Sequence, residues 1–226
     1  MIIYVLAPDQ NALDAAKQRY TDTVFRCILL PQTPYLESYM YTSWLMDHHD
    51  EWKDHDWVGC IAHTAHTKQR HIMQINDILT TASKRGCDMA AFMHRGDPLV
   101  ETAEYWHPGF TKAWTLLWND PKAARMDAKI NSFYCNYWAT TPRKMEEYCA
   151  LMAQFKDRID RDLELREAIW QDSSYSRRGS GIASISESKC QELWGVPYYP
   201  LLPFVFERVP CLYFSLCDAS TCVFIR

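Results

Sequence analysis

The stretch "IIYVLAPDQNALDAAKQRYTDTVFRCILLP", residues 2–31, decides the fold class of this chain. Its first six residues form a continuous apolar run that a proline ends, as is typical of a strand buried on both faces. Small apolar side chains then recur at helical spacing behind Asp9 or Asn11, either of which can cap a helix. A second apolar run, predicted to be a buried strand, covers residues 23–31. A strand, a helix and a strand in this order predict a parallel sheet.

The alternation of strand and helix patterns continues through most of the chain. The predicted elements after residue 31 are helices 35–52 and 67–86, strands 56–63 and 87–96, one or two helices within 97–120, a strand at 131–141 and a helix that begins at Pro142. Residues 201–214 are predicted to return to the core. The sequence therefore predicts the α/β class, with a mostly parallel central sheet flanked by helices on both faces.

The chain is predicted to be a single domain over residues 1–226, because no stretch before residue 170 has the composition of a linker. Residues 172–188 are rich in Ser, Arg and Gly and are predicted to be a mobile loop. The last residues end in an apolar run, which suggests that the chain is part of a longer one.

The composition narrows the partners and the compartment. With 28 acidic and 24 basic side chains the net charge is -4, so nucleic acid is not expected as a partner. The N-terminal apolar run ends at Pro8, which is too short for a signal peptide or a membrane span. The nine cysteines are scattered without a CxxC pair, which favours reduced thiols and a cytoplasmic location.

Candidate ligand-binding residues follow the predicted strands, since ligands of open α/β sheets bind outside the carboxyl ends of the strands. The residues predicted to lie there are Ala7, Pro8, Asp9, His63, Thr64, His66, His94, Asp97 and Asn136. Asp9 can instead cap the first helix, and Asp97, which precedes a proline, has the pattern of a helix N-cap. His94 and Asp97 can otherwise bind metal, sugar or acceptor. Arg26 lies mid-strand, from where it can reach a bound nucleotide or pair with a neighbour.

Several familiar motifs are absent from the sequence. There is no GxxxxGK[ST], no GxGxxG after the first strand, no GxSxG and no HExxH, which argues against P-loop transfer, nicotinamide binding, serine hydrolysis and zincin chemistry. Two Asp-x-Asp triplets, at 54–56 and 160–162, have a spacing that can hold a divalent cation against a diphosphate. Because the first precedes its strand and the second lies in a charged helix, we interpret both as solvated charge.

Five segments carry a resemblance to a glycosyltransferase family. They are "WVGCIAH", "CDMAAF", "VETAEYWHPGFTKAWTLLW", "CNYWATTPRKMEEYC" and "FVFERVPCLYF", within residues 35–214. Their order and spacing are similar to those of the capsular-polysaccharide type of nucleotide-sugar transferase, whose members read like "YIGLCHYRR", "CNMFIMKKEIFDEYC" and "ERL" at these places. The chain thus resembles GT-A-fold glycosyltransferases. It is also similar in size and opening to the capsid glycosyltransferase domains of chlorella viruses.

The resemblance implies an enzyme that moves a sugar from a UDP-sugar to a hydroxyl of a glycan or glycoprotein, in the host cytoplasm if the chain is viral. It implies a nucleotide-binding half over about residues 1–100 and an acceptor half over about residues 101–214. Pro8 and Asp9 would meet the nucleoside. Asn136 and Tyr137 would line the donor sugar. The alternatives are a non-catalytic nucleotide- or glycan-binding module and a nucleotidyltransferase.

Glu207, in "FVFERVP", is the predicted catalytic base. It is flanked by apolar residues, which would disfavour its charged form unless Arg208 compensates. In inverting members of the fold an acid in this late segment removes the proton of the acceptor hydroxyl. The alternative is a structural pair of Glu207 with Arg208.

The expected metal ligands are where the chain departs from the broad GT-A pattern. The strand that ends in Asp-x-Asp in those enzymes here ends in "HTAH", residues 63–66. Neutral imidazole can bind Mn²⁺ or a similar ion, and protonated imidazole can neutralise phosphate directly. We therefore expect a divalent cation, Mn²⁺ or Mg²⁺, with His63 and His66 as its candidate ligands. The alternatives are a structural His63 at the strand end and a solvent-facing His66 in the turn.

Overall fold

The computed structural model describes residues 1–31, 36–68, 70–92, 97–120, 135–175, 186–216 and 221–223. The strands are β1 (Ile2–Ala7), β2 (Phe25–Leu29), β3 (Val58–Ala62), β4 (Met89–Ala91), β5 (Trp138–Thr140) and β6 (Thr221–Val223). The helices are α1 (Gln10–Arg19), α2 (Leu36–Asp47), α3 (Ala65–Lys68), α4 (Ile75–Lys84), α5 (Leu99–Trp106), α6 (Phe110–Trp118), α7 (Pro142–Arg161), α8 (Leu163–Trp170), α9 (Glu187–Trp194) and α10 (Leu202–Leu216). Short 3-10 helices cover His49–Glu51 and Arg70–Gln74.

The strands form one mixed sheet in the order β2-β1-β3-β5-β4-β6. β1 is parallel to both β2 and β3, and β4 is parallel to β6. β5 lies between β3 and β4 and runs antiparallel to both. The α/β class is confirmed, but the prediction of a mostly parallel sheet is wrong at β5. A short buried strand has the same apolar pattern in either direction, so the sequence did not reveal the reversal.

Helices cover both faces of the sheet, as predicted. On one face a large apolar cluster joins Tyr4 and Leu6 of β1 to α2, α5, α6, α7, α8 and α10. On the other face a smaller cluster joins Ile3 and Val5 of β1 to α1 and α4. The two clusters use alternate residues of the same strand, because successive side chains of a strand point to opposite faces.

The opening β1-α1-β2 unit forms as the sequence predicts. All six residues of β1 are buried, and Asp9 caps α1 by accepting a hydrogen bond from the backbone N–H of Ala12 at 2.8 Å. The expectation that β2 is a buried strand is only partly met, since Arg26 and Leu29 are exposed. β2 is the edge strand of the sheet, so it has one neighbour to cover it instead of two.

The later elements depart from prediction at their bounds. The helix predicted over 67–86 is split into α3, a 3-10 turn and α4, and Gly86 follows α4 with a φ of 66°. Pro142 is the first residue of α7, as expected. Residues 201–214 do return to the core, as a helix that contains Pro210. Most of the loop predicted over 172–188 lies outside the described residues.

The cysteines and the helices bear on the expected compartment. Six described cysteines are free, but Cys87 is disulfide-bonded, so the expectation of uniformly reduced thiols is wrong at this position. Within the described ranges, no helix combines the length and the apolar character that crossing a bilayer requires.

Candidate functional site

The strand order creates a crevice between the carboxyl ends of β1 and β3. The chain leaves β1 toward β2 on one side and returns to β3 on the other, so the strand order reverses between β1 and β3. Such a switch point is where open α/β sheets bind their ligands. The backbone N–H of His63 donates to the carbonyl of Leu6 at 3.0 Å, which holds the two strand ends side by side. Ala7, Pro8, His63 and Thr64 therefore lie together, as predicted.

Asp9 has a structural role at this edge. Its Oδ1 accepts the N–H of Ala12 and so caps α1, which places a carboxylate at the positive end of the helix. A phosphate is disfavoured at the start of α1, because the Asp9 carboxylate already occupies that position and would repel it. The second oxygen, Oδ2, makes no hydrogen bond to another described residue. It has the chemistry to accept a hydrogen bond from a ribose hydroxyl.

Tyr20, which was not among the predicted site residues, contacts both histidines that follow β3. Its hydroxyl lies 3.2 Å from the His63 carbonyl oxygen and 3.3 Å from His66 Nδ1, and it accepts the backbone N–H of His66 at 3.2 Å. Burial, assisted by the nearby positive charge of Arg19, lowers the pKa of His66 below its ordinary value. The neutral form of His66 is therefore favoured over the imidazolium in this structure.

Lys68 brings positive charge to the mouth of the crevice. It is the last residue of α3, is exposed, and places Nζ 3.8 Å from Cys135 Sγ. Cys135 precedes β5, whose amino end meets the carboxyl ends of β3 and β4 because β5 runs antiparallel. This contact thus links the β3 side of the edge to the β5 side. The signal in the sequence was a lysine two residues after the "HTAH" motif.

Two consecutive residues before β5 have left-handed backbone. Cys135 has a φ of 65° and Asn136 a φ of 54°. This conformation is unfavourable for residues with a Cβ, least so for Asn, and it concentrates at functional sites. The turn aims the Cys135 N–H at the Glu207 carboxylate and the Asn136 side chain at α2. The backbone strain is thus offset by two polar contacts that the turn makes possible.

Asn136 has an unused acceptor. The residue is 7% exposed, and its Nδ2 donates to Ser38 Oγ of α2 at 2.8 Å. Its Oδ1 is buried and finds no hydrogen-bond donor within the described part of the chain. A buried amide oxygen without a donor is destabilising by about 1–3 kcal/mol. A ligand hydroxyl would provide the missing donor.

Glu207 of α10 reaches the same edge from the opposite wall. Its Oε1 accepts the backbone N–H of Cys135, and Arg208 NH1 lies 3.4 Å from its Oε2. The glutamate side chain is 20% exposed and the arginine side chain 6%. The positive charge of Arg208 therefore lies beside the carboxylate. The structure therefore contains the Glu207–Arg208 pair that was the structural alternative to a catalytic role.

Tyr175 shows that these charges share one neighbourhood. Burial raises the pKa of its hydroxyl, while Lys68 lowers that pKa and Glu207 raises it through their charges. Each of these charges lies near enough to Tyr175 to act on its ring hydroxyl. Tyr175 was not predicted, because it lies in the segment that the sequence marks as loop.

Two predicted site residues, Arg26 and Tyr137, do not present their side chains at this edge. Arg26 lies opposite Tyr4 in mid-strand and forms an ion pair with Glu51. Tyr137 is 1% exposed and packs in the smaller apolar cluster. Asp97 is exposed, and the N-cap position of α5 is occupied by the following proline, so the expectation that Asp97 caps the helix is wrong. His94 lies outside the described residues.

The described residues do not fit a divalent cation. No three His, Cys, Asp or Glu side chains among them lie close enough together to hold a metal ion. Asp54 and Asp56 are exposed, as expected for solvated charge, and Asp162 caps α8 by accepting the N–H of Leu165 at 3.1 Å. His63 and His66 are the candidate ligands, and no third ligand joins them among the described residues.

Comparison of the chain with protein-family models, with curated proteins and with solved structures found no match.

Proposed function

We propose that the protein is a glycosyltransferase that moves a sugar from a UDP-linked donor to a hydroxyl of a glycan. The observation that carries the proposal is the convergence of the β1–β3 switch point, Lys68, the unused Asn136 amide oxygen and the Glu207 carboxylate at one edge of the sheet. Lys68 can pair with an anion, Asn136 Oδ1 can accept a hydrogen bond from a sugar hydroxyl, and Glu207 can act as a base. All three lie beside a crevice suited to a nucleotide.

The nucleoside would bind at the end of β1. Pro8 is half-buried and offers an apolar surface to the base, and Asp9 Oδ2 can accept from a ribose hydroxyl. The diphosphate would lie toward β3, where Lys68 offsets its charge and the Thr64 hydroxyl can donate to it. His63, whose backbone is fixed by Leu6, would border the diphosphate.

The sugar would then lie against the turn before β5. Asn136 Oδ1 would accept a hydroxyl of the donor sugar and so orient its anomeric carbon toward α10. Glu207 would remove the proton of the acceptor hydroxyl as that oxygen bonds to the anomeric carbon. The bond from the anomeric carbon to the diphosphate breaks, and UDP leaves with its charge met by Lys68. A single displacement of this kind inverts the anomeric configuration.

The donor and the activity are tested together by UDP release. The protein is incubated with a panel of UDP-sugars and glycan acceptors, once with Mn²⁺ and once with EDTA. The proposal expects acceptor-dependent UDP release with one donor, and the comparison of the two conditions measures whether a cation takes part. UDP binding without release from any donor would contradict the transferase proposal.

A non-catalytic nucleotide-binding module is the second candidate. It is favoured by one observation, the lack of a three-ligand metal group among the described side chains. It predicts UDP binding that Glu207→Gln leaves unchanged and no turnover in either condition. We propose a cytoplasmic location for either function, supported by the free thiols of six cysteines.

A further inference from the structure

A second concave surface lies between the ends of α8 and α9, apart from the crevice. It is an open cleft with a volume of about 570 Å³, within the range of small-molecule sites. Three aromatic side chains and Val196 form its apolar part, and three polar side chains accompany them. The aromatic residues are Trp170, Trp194 and Tyr198, and the polar residues are Arg166, Glu167 and Gln171. We call this surface the aromatic cleft.

The chemistry of the aromatic cleft points to one class of ligand. The rings of Trp and Tyr offer flat apolar faces, which match the faces of pyranose rings. Arg166 only donates hydrogen bonds, Glu167 only accepts them, and Gln171 does both. This set suits hydroxyl groups, which also donate and accept. Because the positive and negative charges balance, the cleft has no preference for a charged ligand such as a phosphate.

An unbroken run of aromatic contacts joins the aromatic cleft to the crevice. The ring of Trp194 lies 4.7 Å from that of Tyr199, which lies 5.2 Å from that of Tyr175. Tyr175 in turn lies near Lys68 and Glu207, whose charges act on the pKa of its hydroxyl. Packed rings thus connect the aromatic cleft to Tyr175, which lies beside the crevice.

Backbone contacts hold this run in place. The Ser173 N–H donates to the Tyr199 carbonyl at 3.0 Å, and the Leu201 N–H donates to the Gln171 carbonyl at 3.1 Å. Asp172 and Pro200 form an antiparallel bridge between these two contacts. The segment that bears the cleft residue Gln171 is thus paired with the segment that leads into α10. Backbone pairing therefore connects the cleft to the helix that bears Glu207.

We propose that the aromatic cleft binds a neutral oligosaccharide, the part of the acceptor that lies several sugar units from the reacting hydroxyl. That this oligosaccharide is the acceptor rests on the proposed function, whereas the binding of an oligosaccharide by the cleft does not. An open cleft buries only part of a ligand, so we expect dissociation constants on the order of 1 mM.

The test measures binding of four neutral hexasaccharides, cellohexaose, chitohexaose, maltohexaose and mannohexaose, to the whole chain by isothermal titration. Tyr198→Ala removes one half-buried ring of the cleft, and Tyr105→Ala is its matched control, because Tyr105 is 68% exposed and lies outside the cleft. We expect at least one hexasaccharide to bind, with about 5–10-fold weaker binding to Tyr198→Ala and unchanged binding to Tyr105→Ala. Arg166→Ala, at an exposed position, is expected to weaken binding about 3-fold.

Three outcomes would overturn the proposal: no binding of any of the four hexasaccharides, binding that both cleft variants leave intact, or a dimer that Tyr198→Ala dissociates in light scattering. The last would make the cleft an interface between copies of the chain.

Titration of the wild type and of the same variants with UDP separates this proposal from the proposed transferase function. If UDP does not bind the wild type but a hexasaccharide does, the transferase proposal fails while the cleft stands. If the wild type transfers sugar from a UDP-sugar but the cleft variants bind hexasaccharides as the wild type does, the cleft proposal fails while the transferase proposal stands.

Discussion

The two sides of the crevice are built differently. The β1–β3 side is held by parallel backbone pairing, and its predicted ligand contacts follow directly from where each strand ends. The β5–α10 side is held by side chains, through the contacts of Asn136 with Ser38 and of Cys135 with Glu207, across two left-handed residues. The backbone of the β1–β3 side is thus fixed by strand pairing, whereas the backbone of the β5–α10 side depends on contacts of particular side chains. Variants on the two sides should therefore separate binding from turnover.

Replacement of the proposed base should have the largest effect. Glu207→Gln keeps an oxygen that can accept the Cys135 N–H but removes the base, so we expect a 10²–10⁴-fold loss of kcat and a UDP affinity within about 2-fold of wild type. Kinetics of UDP release and titration with UDP measure the two quantities. Glu192→Gln, on the exposed surface of α9, is the control and should be indistinguishable from wild type. An equal loss of both quantities in Glu207→Gln would show that the two sides are not separable.

Two variants of Asn136 separate the effect of its left-handed backbone from that of its side-chain amide. Asn136→Gly keeps the left-handed conformation but removes the contact with Ser38 Oγ, so we expect about 1–2 kcal/mol lower stability and 10–100-fold slower transfer. Asn136→Ala adds the cost of a Cβ at positive φ, about 1 kcal/mol more. Urea unfolding and transfer rates measure these effects. If both variants turn over at the wild-type rate, the amide does not contact the donor sugar.

Lys68 tests the nucleotide side through its charge. Lys68→Met keeps the length of the side chain and removes the cation, so we expect about 10-fold weaker UDP binding and unchanged uridine binding. The loss should shrink at high salt, because Lys68 is exposed. Lys84→Met, an exposed lysine at the end of α4, is the control. Equal weakening of UDP and uridine would place the diphosphate elsewhere.

The pH dependence of stability should carry the smallest effect. Because burial lowers the pKa of His66 in the folded chain, the unfolded chain binds its proton more readily. The contribution of neutral His66 to the free energy of unfolding is therefore fully present above the ordinary pKa of histidine. It is lost as the pH falls from that pKa through the lower pKa of the folded chain. His66→Gln should lose less stability than wild type between pH 7.5 and pH 5, measured by urea unfolding. A steeper loss in the variant would mean that His66 is stabilised as a cation.

The sequence was most informative where local pattern and fold agree. The apolar run of β1, the cap at Asp9 and the proline that begins α7 all follow from residue chemistry over a few positions. The direction of β5 depends instead on which strands neighbour it, and a three-residue apolar strand carries no sign of its direction. Strand existence was therefore predictable, and strand direction was not.

The same distinction applies to the site. Residues after β1 and β3 could be predicted because the carboxyl ends of parallel strands meet at one edge. Tyr20 and Ser38 could not, because each acts through a contact with a residue distant in the chain. Lys68 had only its position after the "HTAH" motif as a signal, and its contact with Cys135 depends on the fold. Tyr137 was misplaced for a related reason: alternation along the chain sends its ring to the opposite face from that of Trp138 and into the core.

The central claim, that a nucleotide diphosphate binds at the β1–β3 edge, is tested most directly by hydrogen–deuterium exchange with and without saturating UDP. We expect slower exchange in the segments that follow β1 and β3, near Asp9 and near Thr64, and no change at the aromatic cleft. UDP-dependent protection confined to other segments, or no protection at any UDP concentration up to about 10 mM, would contradict it.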